Sequence, residues 1–249
     1  MKIISWSGQG ALLMLIISTL GHRGGLLPFK VAVTLLVIGL LVCTVVAVVE
    51  LFLLSVVAVK KKTLRLDYLL LAVACSLGPC LALYAVGLEG FRAPRIHDIT
   101  SDRLNPPEFL FTQQDELLRE NSLIYGADGI SAEQLGAIQL DAYPDIQTMI
   151  VPIAARRVYQ KALFVGEVLG WNISAHDVVM LHFEAYATTA LFGFVDDIVV
   201  RITPLDSQSS AIDIRSASRE GTSDIGFNAK RIRLFFNRLE EELIDSNAG

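Results

Sequence analysis

Three apolar blocks fill the first ninety residues, and the short polar gap between the second and third carries Lys60, Lys61, Lys62 and Arg65. Basic loops are retained on the cytoplasmic side of a membrane, so this gap is expected inside. The third block, about Tyr68 to Leu88, then runs outward and delivers everything after Phe91 to the far side. The function of such a chain is expected outside the cytoplasm.

The spans are expected at about 3–20, 31–57 and 67–88. The middle block, Val31 to Val59, holds about 29 residues, and at roughly 1.5 Å per residue it exceeds a hydrocarbon core of about 30 Å. The third carries Gly78-Pro79, a pair expected to kink it. The first is weaker, because Ser5, Ser7, Gly8, Gln9 and Gly10 leave Ala11 to Leu20 as its strongly apolar run, which is also the size of a signal peptide. Two or three membrane helices are therefore expected, according to whether that segment is retained or cleaved. Glu50 is the one carboxylate inside a spanning block. With Val31 to Val49 long enough to cross alone, it reads as a residue near the inner interface more readily than as a proton or ion site.

Charge divides the chain at the same place. Residues 1–90 hold 7 basic and 3 acidic side chains and residues 91–249 hold 14 and 23, giving formal charges of +4 and −9. A domain this acidic excludes nucleic acid, whose phosphates demand a basic surface. Cys43, Cys75 and Cys80 all lie in the apolar blocks, so the outer domain has neither a disulfide framework nor thiol chemistry.

Residues 91–112 read as a Pro-rich linker or edge strand, through Pro94 and Pro106-Pro107. Residues 113–249 read as an extracytoplasmic α+β domain. Ser131 and Gln134 form a capping box that opens a short helix ending before Pro144. Pro152 suits the first turn of a second helix, with Ala154, Val158, Val165 and Leu169 near helical spacing and Gly170 closing it. Alternation marks four strands, at 171–177, 180–189, 197–203 and 210–216. A last helix follows Asp224, with Ile225, Ala229, Ile232, Phe236, Leu239 and Leu243 as its apolar stripe. The expected domain is two layers, a four-stranded antiparallel sheet with one apolar face covered by helices.

IHDITSD with NPP at 96–107, AYPDIQ at 142–147, EAYATTALFGFVDDIVVRI at 184–202 and IDIRSASREGTSDIGFNAKRI at 212–232 together resemble domain-of-unknown-function family 1499, a bacterial and plastid family. The resemblance covers roughly 91–245. It departs between about Thr112 and Gln139, where this chain is longer, and at Ala190, where the family's turn has Pro. It implies the fold, an inner-membrane anchor and a periplasmic domain, and carries no catalytic residues to transfer.

The chemistry therefore rests on the residues themselves. The densest polar constellation is Asp196, Asp197, Arg201, Asp213, Arg215, Arg219, Asp224, Asn228 and Arg231. Residues 213 and 215 share a sheet face, Arg201 lies opposite on the next strand, and 224, 228 and 231 repeat along the helix start. Arginine forks and a helix N-terminus suit a carboxylate or phosphate, whereas near balance of acids and bases suits a network of interlocking pairs. His97 joins the candidates beside Asp98, in a segment where local hydrogen bonding is the plainer reading. His182 and Glu184 project together without a third ligand, so neither a metal nor a cofactor is expected. No nucleophile elbow, zinc-helix or phosphate-loop motif occurs. Asp196 and Asp197 point to opposite faces and cannot share one substrate atom. The expectation is a non-catalytic domain that binds membrane lipid or another amphiphile in its sheet face or helix-sheet gap, or an envelope protein or second copy. Trp171, Phe192, Phe194 and Phe227 near the strand ends suit that binding, or else close a core. The alternative is an acid/base or phosphate-handling hydrolase using Arg215, Arg219, Asp213 and His97.

Overall fold

The computed structural model describes residues 2–60, 66–112, 119–189 and 192–245. Lys61, Lys62, Arg65 and Ala190, on which expectations above rest, lie outside them. The chain divides into two compact units, a helical one that runs up to Phe91 and also takes in Phe192 and Gly193, and an α+β one formed by the chain from Arg92 to Thr189 and from Phe194 onward.

The helical unit consists of α1 (Lys2–Arg23), α2 (Phe29–Val59) and α3 (Leu66–Arg92). Small residues let α1 lie close against α2: a Cβ on Gly39 would meet Leu15 and the Ala11 carbonyl, and the Ser18 hydroxyl donates to Ala32 O at 2.6 Å. Cys43 and Cys75 are buried in the same cluster as Ala11, Val46 and Ala47. Of the described helices, α2 is long and apolar enough to cross a membrane. It runs unbroken from Phe29 to Val59, and Glu50 is 2% exposed among its neighbours. The α-helix of α3 continues through Pro79.

Among the described residues the second unit is built on one antiparallel sheet of six strands: β1 (Asp98–Thr100), β2 (Met149–Val151), β3 (Asn172–Asp177), β4 (His182–Thr188), β5 (Val195–Pro204) and β6 (Ser210–Ser218). The order is β1-β6-β5-β4-β3, and β2 shares with β1 the outer edge of β6. The last four strands lie where alternation puts them. The expected count of four is corrected to six, because β1 and β2 are three residues long, too short to show a period. The stretch read as a linker thus carries an edge strand, and its backbone is held on the far side too. The Gln139 amide accepts from Thr100 N at 3.0 Å and donates to Thr100 O at 2.6 Å, mimicking a further strand. Gln139 belongs to α4 (Ala132–Ala142), which opens with the expected Ser131–Gln134 capping box.

Helices α5 (Ala155–Val168) and α6 (Phe227–Asp245) cover one sheet face. Pro152 lies before α5 rather than in its first turn, since the chain must first leave β2. After α5 the backbone turns at Gly170, φ +77°. In α6 the fully buried stripe is Ala229, Ile232, Phe235, Leu239 and Leu243. Phe235 replaces the expected Phe236, which packs at the margin, and Ile225 precedes the helix in a left-handed turn. Phe235 stacks on Trp171 at 5.2 Å between centroids and shares the core with Phe183, Ile198, Val200, Ile212 and Ile214.

Phe235→Ala removes an aromatic ring from that core. It is expected to lower the unfolding free energy by about 3–5 kcal/mol in urea titrations followed by Trp171 fluorescence. A loss under about 1 kcal/mol would show that the stripe is not the seam between helix and sheet.

Candidate functional site

The sheet face away from α5 and α6 is the polar one, and strand register sorts its side chains into rows. His182, Arg201 and Asp213 stand side by side, then Glu184, Val199, Arg215 and Thr100, then Tyr186, Asp197, Ala217 and Asp98. Directly opposed residues in an antiparallel pair project to the same face, so these rows carry carboxylates and guanidinium groups a strand apart. The face is nevertheless buried: all nine residues of β6 are inaccessible on both sides. What covers it is the chain's own irregular backbone at residues 101–112 and 119–125, drawn down by the charged rows.

Arg215 lies at the centre and is 1% exposed. Its Nε and Nη2 grip the two oxygens of Asp98 at 2.9 and 2.7 Å, Nη1 reaches Pro107 O at 3.3 Å, and Nη2 also donates to Leu123 O at 2.9 Å. The rings of Phe109 and Tyr125 lie 5.1 and 5.3 Å from the guanidinium carbon. Burial and the Asp98 charge push the Tyr125 hydroxyl above its ordinary range.

Asp213 accepts from Ser101 and Thr148 hydroxyls and from Arg201 Nη2 at 2.9 Å, and the same Nη2 meets Asp102 and the Asn105 carbonyl. In the third row Asp197 is gripped by Arg219, with Nη2 at 2.8 Å, and by Arg119 at 2.5 Å. Burial works against the Arg219 charge, but Asp197 outweighs it and raises the guanidinium's affinity for its proton. Four arginines, 119, 201, 215 and 219, thus face four aspartates, 98, 102, 197 and 213. The sum is neutral and offers an anion no net attraction.

Glu184 holds the rest of the cover. Its carboxylate accepts the backbone N–H groups of Leu110, Phe111 and Thr112, the last at 2.6 Å, and faces His182 Nε2 at 3.1 Å. Burial alone would raise its pKa, but His182, Thr112, Phe111 and Leu110 together bring it down to about 2. Among the described residues no group of three or more His, Cys, Asp or Glu is placed to hold a metal. The His182–Glu184 pair closes on itself and on the loop.

The remaining members of the sequence constellation lie on the opposite side of the sheet. Asp224 caps α6, accepting from Asn228 N at 2.6 Å and Gly226 N at 2.9 Å, while burial pushes its carboxyl up. The Asn228 amide donates to His97 O and Ser218 Oγ, and its oxygen accepts from Ser216. Arg231 pairs with Asp196 at 2.6 Å. His97 contributes its carbonyl here, and its ring faces Asp128 at 3.5 Å. The single constellation read from sequence is therefore corrected to two networks: Arg201, Asp213, Arg215 and Arg219 outside, Asp224, Asn228 and Arg231 under the helix. The alternating strand period separates Asp197 from Asp196 in the same way. Asp98, Asp102, Arg119 and Glu184 were missed as members because their partners are 70 or more residues away in sequence.

A family model described as "Protein of unknown function (DUF1499)" matches residues 98–239, more than half of the chain. The chain belongs to this family. None of the curated proteins matches it. The DUF1499 match opens at Asp98, the partner of Arg215, and ends at Leu239 in the buried stripe of α6. It takes in both networks and leaves α1, α2 and α3 outside.

Arg215→Met strands a buried Asp98 carboxylate and is expected to cost about 3–5 kcal/mol, most of it recovered by adding Asp98→Leu. Equilibrium unfolding of both variants checks this, and a neutral single substitution would remove Arg215 from the framework. Glu184 gives a pH signature. Its folded pKa is depressed, so its stabilising contribution is present above the ordinary carboxylate range and is lost as pH falls from 4.5 to about 2. Glu184→Gln is expected to flatten the acid-unfolding curve in that window, and an unchanged curve would show that its capture of the loop adds nothing.

Proposed function

We propose that this DUF1499 member is a membrane-anchored, extracytoplasmic domain without catalysis, which serves the envelope by binding a partner protein, with amphiphile binding as the second reading. The observation that carries it is the internal engagement of every arginine on the polar face. A hydrolase needs cations or acids free to meet substrate, whereas here Arg215, Arg219 and Asp213 are already bound to groups of the same chain and His97 lies in a different network. The gap between sheet and helices is filled by Phe183, Ile232 and Phe235, and the polar face is covered by residues 101–112 and 119–125, so binding falls to the exposed surface.

The anchoring part rests on α2, which has the length and hydropathy of a span. With α1 and α3 as companion spans and the basic gap after Val59 held in the cytoplasm, the domain enters the periplasm. A bilayer on its own is a poor ligand for the domain, because a surface of formal charge −9 is repelled by anionic headgroups.

A cysteine introduced at Val179, which is 85% exposed, is expected to react with a membrane-impermeant maleimide in cells whose outer membrane alone is permeabilised, while the wild-type chain stays unlabelled. Labelling only after the inner membrane is opened would reverse the topology. Native mass spectrometry of the full-length protein in gentle detergent, with crosslinking in native membranes, is expected to show one discrete bound protein. A bound lipid would select the second reading, and a bare chain with no crosslinked product would overturn both.

A further inference from the structure

One end of the sheet combines an apolar surface with fixed negative charge. The β3–β4 turn exposes Val178, Val179 and Met180 in sequence, and the β5–β6 turn exposes Leu205. Both turns lie at the same end, and Ile202 N donates to Leu181 O at 2.9 Å, tying one to the other. Phe111 joins them through an edge-on contact with His182, at 5.8 Å between ring centroids, and Leu104, 99% exposed, sits in the loop that Arg201 binds through Asn105. Four exposed apolar side chains in two strand turns, with two more in the adjoining loop, are more than a solvated turn requires, since turns ordinarily carry Gly, Asn, Asp and Ser.

Each turn is braced by one of its own carboxylates. Asp177 Oδ1 accepts from Val179 N at 2.7 Å and Met180 N at 2.9 Å, and Asp206 accepts from Gln208 N at 2.7 Å and the Ser209 hydroxyl at 2.6 Å. These donors hold both carboxyls below their usual range, so each turn presents a permanent anion beside its apolar residues. A surface whose loops are already ordered spends little conformational entropy on binding.

We infer that this end of the sheet is the docking surface for a protein segment that presents apolar side chains flanked by lysine or arginine. The inference deepens the partner-binding reading above and rests on it. Charge complementarity selects the occupant: Asp177 and Asp206 attract basic flanks and repel an anionic bilayer, while Val179, Met180 and Leu205 supply the desolvated centre. Both anions are held by turn geometry and are available to a partner, unlike the carboxylates of the polar face.

The test uses the full chain in phosphatidylcholine nanodiscs with two synthetic peptides, one of alternating Leu and Lys and one of alternating Leu and Glu. The Leu/Lys peptide is expected to bind, to weaken with added salt, and to lose at least about tenfold in affinity with Val179→Ser plus Met180→Ser, or with Asp177→Asn plus Asp206→Asn. Asn keeps an acceptor for the turn N–H groups, and all four positions are off the core, so the variants remain folded. Equal binding of both peptides, undiminished binding to the variants, or binding instead to phosphatidylglycerol vesicles would overturn the assignment. A partner crosslinked in native membranes at a different surface would sink this assignment alone; no partner at all would sink the reading beneath it.

Discussion

The buried pair of Arg215 and Asp98 is the contact on which the outer half of the domain depends. A guanidinium in the middle of a sheet face, with Asp98 one strand away, carries five donors that must be satisfied once water is excluded. Two go to Asp98, and the carbonyls of Pro107 and Leu123 take others. To reach them the chain after β1 has to cross the sheet and return, which brings both Phe109 and Tyr125 against the cation. Residues 101–112 and 119–125, with little regular structure of their own, thereby acquire a defined path over a polar surface. Hydrophobic burial could not specify that path as narrowly, because apolar contact has no direction.

Ion pairs at this depth are a poor source of net stability, since desolvating each charge costs about what their attraction returns. Their effect is on register. A one-residue slip of β6 against β5 would send Arg215 and Asp213 toward the helices and put Ile212 and Ile214 under the loop, leaving Asp98 buried without its guanidinium and Arg201 without Asp213. The apolar face resists the same slip through α5 and α6. The two faces thus enforce one alignment by different physics, packing on one side and satisfied charge on the other.

That division explains what the sequence disclosed. The four longer strands and α6 were legible because each repeats a period often enough to be counted, and the Ser131–Gln134 box because its two bonds are local. The cross-strand pairing of Arg201 with Asp213 followed from alternation. Asp98 and Arg119 left no such trace, nor did the hold of Glu184 on residues 110–112: these contacts form only after the sheet does, and a charged residue at an inward position looks like a solvent-facing one. The alternation of β6 reads as one wet face and one dry face, whereas both are buried. The local steps from Asp224 to Asn228 and Arg231 were read correctly as a helix start, but nothing in their spacing says that a sheet separates them from Arg215.

A fold that consumes its own charges has a consequence for where function can lie. Four arginines and four aspartates on the polar face cancel one another, and the helix-side network closes around Asn228, so neither retains a field that could steer a ligand. Free charge survives at turns, where a carboxylate is held by backbone N–H groups rather than by a cation and keeps its full negative potential toward solvent. Asp177 and Asp206 are such cases, and both stand next to exposed valine, methionine or leucine. In a domain of this kind the interior sets the shape, and recognition moves to the ends of the strands, where braced turns can combine apolar area with uncompensated charge.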